Sequence, residues 1–332
     1  MKQRLNYIDI AKGLGIILVV LSHIRNSDVA NYALAFYVTI FFFCSGYTTS
    51  CSPQGDKGMM AQFKRHAIKL LKPYVFFSIL LVIISGEIYL QGLIGIVYSR
   101  YSLYPLSHPD IHHFFIYGNY PLWFLTCMIV AYLLFYVLVY NPKYRYYLAS
   151  LYLVLTIAMT QLPILLPWSI DTAFFMAIFM FAGMETRRLM PNLFQSKTVH
   201  PLVLFAIIIY VLLVPLCFDV NLSVREYGSS IAVCFIAGLT GCLMTVYAAR
   251  LLENTFAGTV LQKIGQHSLT IFCIQIPFIL WGKDIFEHVF PQPQTQVQFI
   301  ATVIFQTLFP ITAGYLLLLL LHKNERIKKI IF

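Results

Sequence analysis

The feature that most limits the fold is a succession of apolar segments, each about long enough to cross a bilayer, running from residue 7 to residue 321. A helix needs about 20 apolar residues to span the ~30 Å hydrocarbon layer, where every backbone N–H and C=O must find its partner inside the segment. Ten such segments can be read, at roughly 7–24, 33–50, 73–91, 120–140, 147–167, 171–187, 200–218, 228–250, 267–288 and 298–321. Little chain remains for a soluble domain. Hydrophobic residues make up 59% and charged residues 11%, well outside soluble averages. The expected fold is an all-α integral membrane bundle of about ten transmembrane helices, organised as one membrane domain over residues 1–332.

The net charge of +10 raises nucleic acid as a partner, but its distribution argues against that. Lys and Arg collect at the ends of the apolar segments. With ten spans, both termini and the even-numbered junctions share one side, and nineteen of the basic residues fall there. The other side holds four: Arg25, Arg100, Arg225 and Lys283. Positive charge stays on the cytoplasmic side of membrane proteins, so both termini are expected in the cytoplasm and the chain in the inner (cytoplasmic) membrane. MKQRLNY resembles a signal-peptide n-region, but Asp9 and Lys12 interrupt the apolar run and no A-x-A site follows, so the first span is read as retained. The seven cysteines show no CxxC or paired spacing and read as small core residues.

The first span, YIDIAKGLGIILVVLSHIR, carries ionisable groups at both ends of an oily middle. Eleven residues separate Lys12 from His23, which on a helix leaves them within ~20° of each other and ~16 Å apart. Asp9 lies ~40° from His23 in the same projection, so Asp9, Lys12, Ile16, Val19/Val20 and His23 form one face. Asp9 and Lys12 can also form an (i, i+3) pair. His23 fits a general base, because a neutral imidazole accepts a proton near physiological pH; the plainer reading is an interfacial histidine bonded to a neighbouring helix.

Three further clusters can carry chemistry. Lys64, Arg65, His66, Lys69 and Lys72 precede Pro73, which is expected to open the third span; Arg65, Lys69 and Lys72 share a helical face. That run fits an anchor against anionic lipid or a cradle for a phosphate-bearing cofactor. The long connection at 92–119 holds SHPDIHHFF, with His108, Asp110, His112 and His113. Its spacing matches no zinc pattern, so no metal is expected and an outer vestibule for a polar acceptor fits better. Aromatics such as Trp123 belong to an interfacial belt and can stack on sugar rings. Arg225 and Glu226 read as a surface pair before the eighth span, Asp171 as the N-cap of the sixth, and Glu87 as an ionisable group near the outer end of the third.

RLNYIDIAKGLGIILVVLSHI resembles the first span of the membrane acyltransferase 3 family, and especially its fucose 4-O-acetylase-like branch. FFFCSGY, KLLKPY, PLWFL and IGQHSL follow in the family's order. The resemblance implies a ten-helix enzyme that takes acetyl from cytoplasmic acetyl-CoA and passes it to a hydroxyl of a cell-surface or exported glycan. It places the catalytic histidine on His23. The family's basic residue eleven positions earlier, usually Arg, is Lys12 here, and the Arg expected before LLxPY is Lys69. Both changes keep the charge and lose the bidentate fork. Gln275 stands where many relatives carry a histidine in the ninth span. The expected catalytic set is therefore His23, Lys12 and Asp9. The expected acetyl-CoA set is Lys64, Arg65, Lys69, Lys72 and Ser45 of FFFCSGY, and the expected acceptor set is Arg25, Trp123, Glu87, Arg225 and Glu226. Expected partners are acetyl-CoA, a glycan and the lipid bilayer, with a homo-oligomer left open. The alternative is a polytopic transporter or exporter of a glycan or lipid precursor, against which no paired, Gly/Pro-interrupted half-helices are seen. A non-enzymatic membrane subunit, a third reading, predicts no CoA binding.

Overall fold

The computed structural model describes residues 4–24, 32–33, 35–49, 58–86, 90–100, 102–105, 121–196, 199–289 and 295–323. Arg25, Glu87, His108, Asp110, His112, His113 and Cys51 lie outside them. The described chain is almost all helix: α1 (Asn6–Ser22), α2 (Thr39–Thr48), α3 (Met59–Ser85), α4 (Leu90–Tyr98), α5 (Trp123–Tyr140), α6 (Arg145–Met159), α7 (Ile170–Leu189), α8 (Val199–Leu213), α9 (Ile231–Leu252), α10 (Phe256–Gln266), α11 (Ser268–Val289) and α12 (Gln296–Lys323). A two-stranded antiparallel ribbon, β1 (Val220–Asn221) and β2 (Glu226–Tyr227), joins α8 to α9.

Each of the ten expected segments contains a helix, and among the described residues 7 helices are long and apolar enough to cross a membrane. The other three are shorter, α1 at 17 residues, α2 at 10 and α6 at 15. Several expected boundaries move. Pro73 does not open the third helix but lies inside it, because the basic run before it is already helical from Met59. The helix expected over 147–167 ends at Met159. α4 and α10 appear where connections were expected. α10 is amphipathic and far too short to span, so a search for spanning lengths passes over it.

α1 is the central element, in contact with α2, α9, α10, α11 and α12. Between lipid-exposed helices the hydrophobic effect contributes little, so close backbone approach at small residues sets the packing. α10 lies on the first half of α1 in this way. A Cβ on Gly265 would stand 1.7 Å from the Asp9 carbonyl oxygen, and one on Gly13 2.2 Å from that of Leu261. Gly46 of α2 and Gly183 of α7 form a second such crossing, with ideal Cβ positions 1.8 and 2.1 Å from facing carbonyl oxygens.

The helix directions follow from side-chain contacts. The hydroxyls of Tyr7 and Tyr47 are 3.1 Å apart, and Gly15 lies against Ile40, so α1 and α2 run antiparallel. Phe179 packs beside Ala35 through Gly238, while Arg187 donates to the Tyr47 carbonyl at 3.0 Å. α7 therefore runs parallel to α2, and its start lies at the His23 end of α1.

Candidate active site

Five helices leave a cavity of about 140 Å³ beside α1. Its lining is Lys12 of α1, Phe41 and Ser45 of α2, Leu70 of α3, Phe124 and Met128 of α5, and Ser268, Leu269 and Phe272 of α11. Polar atoms are few. Lys12, Ser45 and Ser268 supply them, and the remaining walls are aliphatic or aromatic. Among the described residues the Lys12 ammonium has no hydrogen-bond or ion-pair partner. The Asp9–Lys12 pair that the spacing allows does not form. The Asp9 carboxylate instead accepts from Arg4 Nε at 2.5 Å, and Asp9 does not line the cavity.

The cavity has a graded wall. Phe124 packs edge-on to Phe41 at 5.7 Å and tilted against Phe272 at 4.7 Å. These three rings stand about one helical turn beyond the level of Ser45 and Ser268, towards the His23 end. Trp123, expected to meet a sugar, is buried and packs edge-on to Phe124.

A polar trail leaves the cavity on the α3 and α5 side. Ser45 lies near the Tyr132 hydroxyl. The His66 ring stacks on Tyr132 at 4.6 Å, and its Nδ1 lies 2.9 Å from the Tyr136 hydroxyl. His66 and Leu70 face inward one turn apart, which leaves Lys64, Arg65, Lys69 and Lys72 exposed. In helical projection Lys69 lies ~80° from the midline of His66 and Leu70, Arg65 ~120° and Lys64 ~140°. The expected cofactor set is thus divided: Ser45 lines the cavity, and Lys64, Arg65, Lys69 and Lys72 are exposed on α3 outside its lining.

His23 caps the other end of α1. Its Nδ1 is 2.7 Å from the Val19 carbonyl oxygen, so Nδ1 carries the proton and donates it there. That bond fixes the tautomer and makes Nε2 the basic nitrogen. The Ser22 hydroxyl donates to the same carbonyl at 2.7 Å. Along the helix, His23 is ~16 Å beyond the Lys12 position.

The end of the bundle shared with His23 also holds a cluster that sequence reasoning missed. Asp171 is 0% exposed, Arg100 2% and Arg225 5%. Arg100 Nη2 donates to Asp171 Oδ1, and Arg225 Nη1 donates to Oδ2 at 3.3 Å. Arg100 also donates to the carbonyls of Leu166 and Ser223, and Arg225 to those of Leu162 and Ile164. Asp171 accepts further from the backbone N–H of Leu166 at 3.1 Å and of Thr172 at 2.9 Å. Burial lowers the Arg225 pKa from its usual value, and the Asp171 charge opposes that loss.

These contacts correct two readings. Arg225 is no surface partner of Glu226. It adopts a left-handed backbone (φ 64°) that turns its side chain into the bundle, while half-buried Glu226 lies opposite Asn221 in the ribbon. Nor does Asp171 cap its helix; Ser169 holds the cap position, and Asp171 is the hub of an ion cluster. Chain separations of 71 and 54 residues hide this from any local pattern.

Comparison with protein families finds one described as an acyltransferase domain, Acyl_transf_3, whose model matches residues 5–320. No curated protein and no solved structure matches the chain.

Proposed function

The chain belongs to the Acyl_transf_3 family of acyltransferases and is built as a multi-pass membrane protein, and from that premise we propose an O-acetyltransferase of the fucose 4-O-acetylase-like kind. Its donor is acetyl-CoA from the cytoplasm and its acceptor a hydroxyl of a cell-surface or exported glycan. A single membrane domain over residues 1–332 does the work in the inner membrane, with both termini cytoplasmic. Labelling tests that orientation: with native cysteines removed, His108→Cys should react from outside and Lys57→Cys should not.

The observation that carries the reading is the pairing on α1 of a cation that has no partner among the described residues, in an apolar cavity, with a tautomer-fixed histidine at the helix end. Arg65 and Lys69, with Lys72, meet the phosphates at the cytoplasmic rim. The oily walls between Lys12 and the ring wall accept an uncharged arm, and Lys12 and Ser45 hold its polar atoms. His23 Nε2 takes the proton of the acceptor hydroxyl as the hydroxyl oxygen bonds to the acetyl carbon. The C–S bond breaks, the sulfur leaves as thiolate, and the proton on His23 returns to it. Binding both substrates in a dry site supplies the orientation that the reaction needs.

Purified protein given radiolabelled acetyl-CoA and a glycan acceptor should transfer label, and His23→Gln should not. If the parent protein neither transfers nor hydrolyses the label, the reading falls.

A further inference from the structure

Gln275 lies on α11 at 0% exposure, and neither its carbonyl oxygen nor its amide nitrogen has a hydrogen-bond partner among the described residues. Buried polar side chains are nearly always paired, so an amide with both ends open needs a reason. Its position supplies one. Residues 268, 272 and 275 fall on one helical face, and Ser268 and Phe272 line the cavity. Ile271 and Ile274, ~40° and ~100° from Gln275 in the same projection, each lie 3.5 Å from the Cβ position of Gly314 on α12. Gln275 therefore lies at the edge of the cavity-lining face, between it and the side that packs on α12. α11 also climbs in the same sense as α1. Ser268 shares the cavity with Lys12, while Phe272 meets Phe124, which meets Phe41 a turn beyond Ser45. Seven residues beyond Ser268 is ~10 Å, which sets Gln275 past the ring wall and short of His23. Pro277 adds to the local polarity, since its missing N–H withdraws the helical donor from the Cys273 carbonyl.

A group that satisfies both ends of a glutamine amide must donate and accept at one place. A thioester only accepts, whereas a secondary amide does both. We propose that Gln275 is a donor-binding residue whose side-chain amide forms a reciprocal pair of hydrogen bonds with the pantetheine amide nearest the thioester. The inference rests on acetyl-CoA being the donor. It assigns Gln275 to holding the arm in register, so that the acetyl carbon arrives between the ring wall and His23 Nε2. A glycan hydroxyl can also donate and accept, and the experiment separates the two.

Gln275→Leu removes the open amide and keeps an apolar side chain of similar size, and Gln275→Met repeats the change with a flexible one. Each is compared with the parent protein for the thermal shift induced by acetyl-CoA and for the donor KM. A second donor carries an ester oxygen in place of the amide N–H nearest the thioester. The parent should bind the ester donor about tenfold more weakly, the size of one net hydrogen bond. Both variants should bind acetyl-CoA about tenfold more weakly and no longer distinguish the two donors. A parent that shifts with acetyl-CoA, beside variants that shift equally and still discriminate, overturns this inference alone. Variants with parental donor binding and a slowed acceptor reaction overturn it too, because the amide then serves the acceptor. A parent with no shift overturns the donor assignment and this inference with it.

Discussion

Lys12 and Asp171 are charged groups near opposite ends of one bundle, and their surroundings differ in kind. Lys12 stands half-buried in an apolar cavity, with no partner among the described residues. Asp171 is sealed and meets two guanidinium groups and two backbone N–H groups. The first arrangement leaves bonding capacity open, which is costly unless water or a ligand completes it. The second closes every bond it can, across three stretches of chain near residues 100, 165 and 224. Taking those ions out of water is expensive, and the cluster repays this by tying those stretches together. Among the described residues four non-glycine residues have positive φ, namely Ser99, Trp168, Ser169 and Arg225, and all four lie in this region. The backbone there is bent to bring the ions together, so the Lys12 cavity leaves a charge open while the Asp171 carboxylate closes its own bonds, although the nearby Ser169 and Tyr227 hydroxyls are buried without a hydrogen-bond partner among the described residues.

The largest expected effect comes from breaking the closed end. Asp171→Asn leaves two buried arginines without a counter-charge. Removing one partner of a buried ion pair costs about 3–5 kcal/mol. Thermal unfolding in detergent should fall sharply, and no ligand should restore it. An Asn variant with parental unfolding would mean that the cluster is not what holds the loops.

His23→Gln probes the same end without touching the cluster. Glutamine keeps a hydrogen bond to the Val19 carbonyl but cannot act as the base. Transfer should drop ~10²–10⁴-fold, with unfolding and donor binding unchanged. Near-parental turnover would make His23 structural. Together the two variants separate scaffold from chemistry at one end of the bundle.

Moving to the open end, Arg65→Ala combined with Lys69→Ala should weaken acetyl-CoA binding by about tenfold or more per residue, the range for charge-assisted bonds to phosphate. The rate at saturating donor should change little, and so should unfolding, because both side chains are exposed. Parental donor affinity in the double variant would reduce the basic run to a lipid anchor.

What the chain reveals in advance follows the same division. Lys12 and Ser45 could be named from their spans, and the structure brings both into one cavity. A period of 3.6 places residues on a helix face, and helices this apolar have few ways to pack. The ion cluster was out of reach, since nothing local links Arg100, Asp171 and Arg225. One clue did exist: Arg100 and Arg225 are half of the four basic residues counted on the sparsely charged side, and a basic residue there asks for a reason. α10 was missed because eleven residues with Gln262, Lys263 and Gln266 read as a connection. Its glycine contacts with α1 depend on a backbone approach that no pattern of side chains displays. Gln275 was visible only as a residue standing where relatives carry histidine; its open amide is a property of the packed core.

Lys12→Met should also have a small effect on stability and gives the sharpest form of the comparison. The ammonium is unpaired among the described residues, so removing it breaks no ion pair there. Methionine keeps the length of the stem and suits walls made of Leu70, Met128, Leu269 and three phenylalanines. Unfolding should therefore move by less than about 1 kcal/mol, in either direction. Donor affinity should nonetheless fall about tenfold, because a charge-assisted hydrogen bond in an apolar cavity is worth roughly 1.5–3 kcal/mol. Lys12→Arg keeps the charge but changes a point donor into a planar fork, so it should recover part of the affinity. A methionine variant that loses several kcal/mol of stability would show that Lys12, like Asp171, serves the scaffold, and the contrast between the two ends would be wrong. One that keeps both its stability and its donor affinity would place the donor's polar atoms away from Lys12, with Ser45 and Ser268 as the groups left in that cavity to hold them.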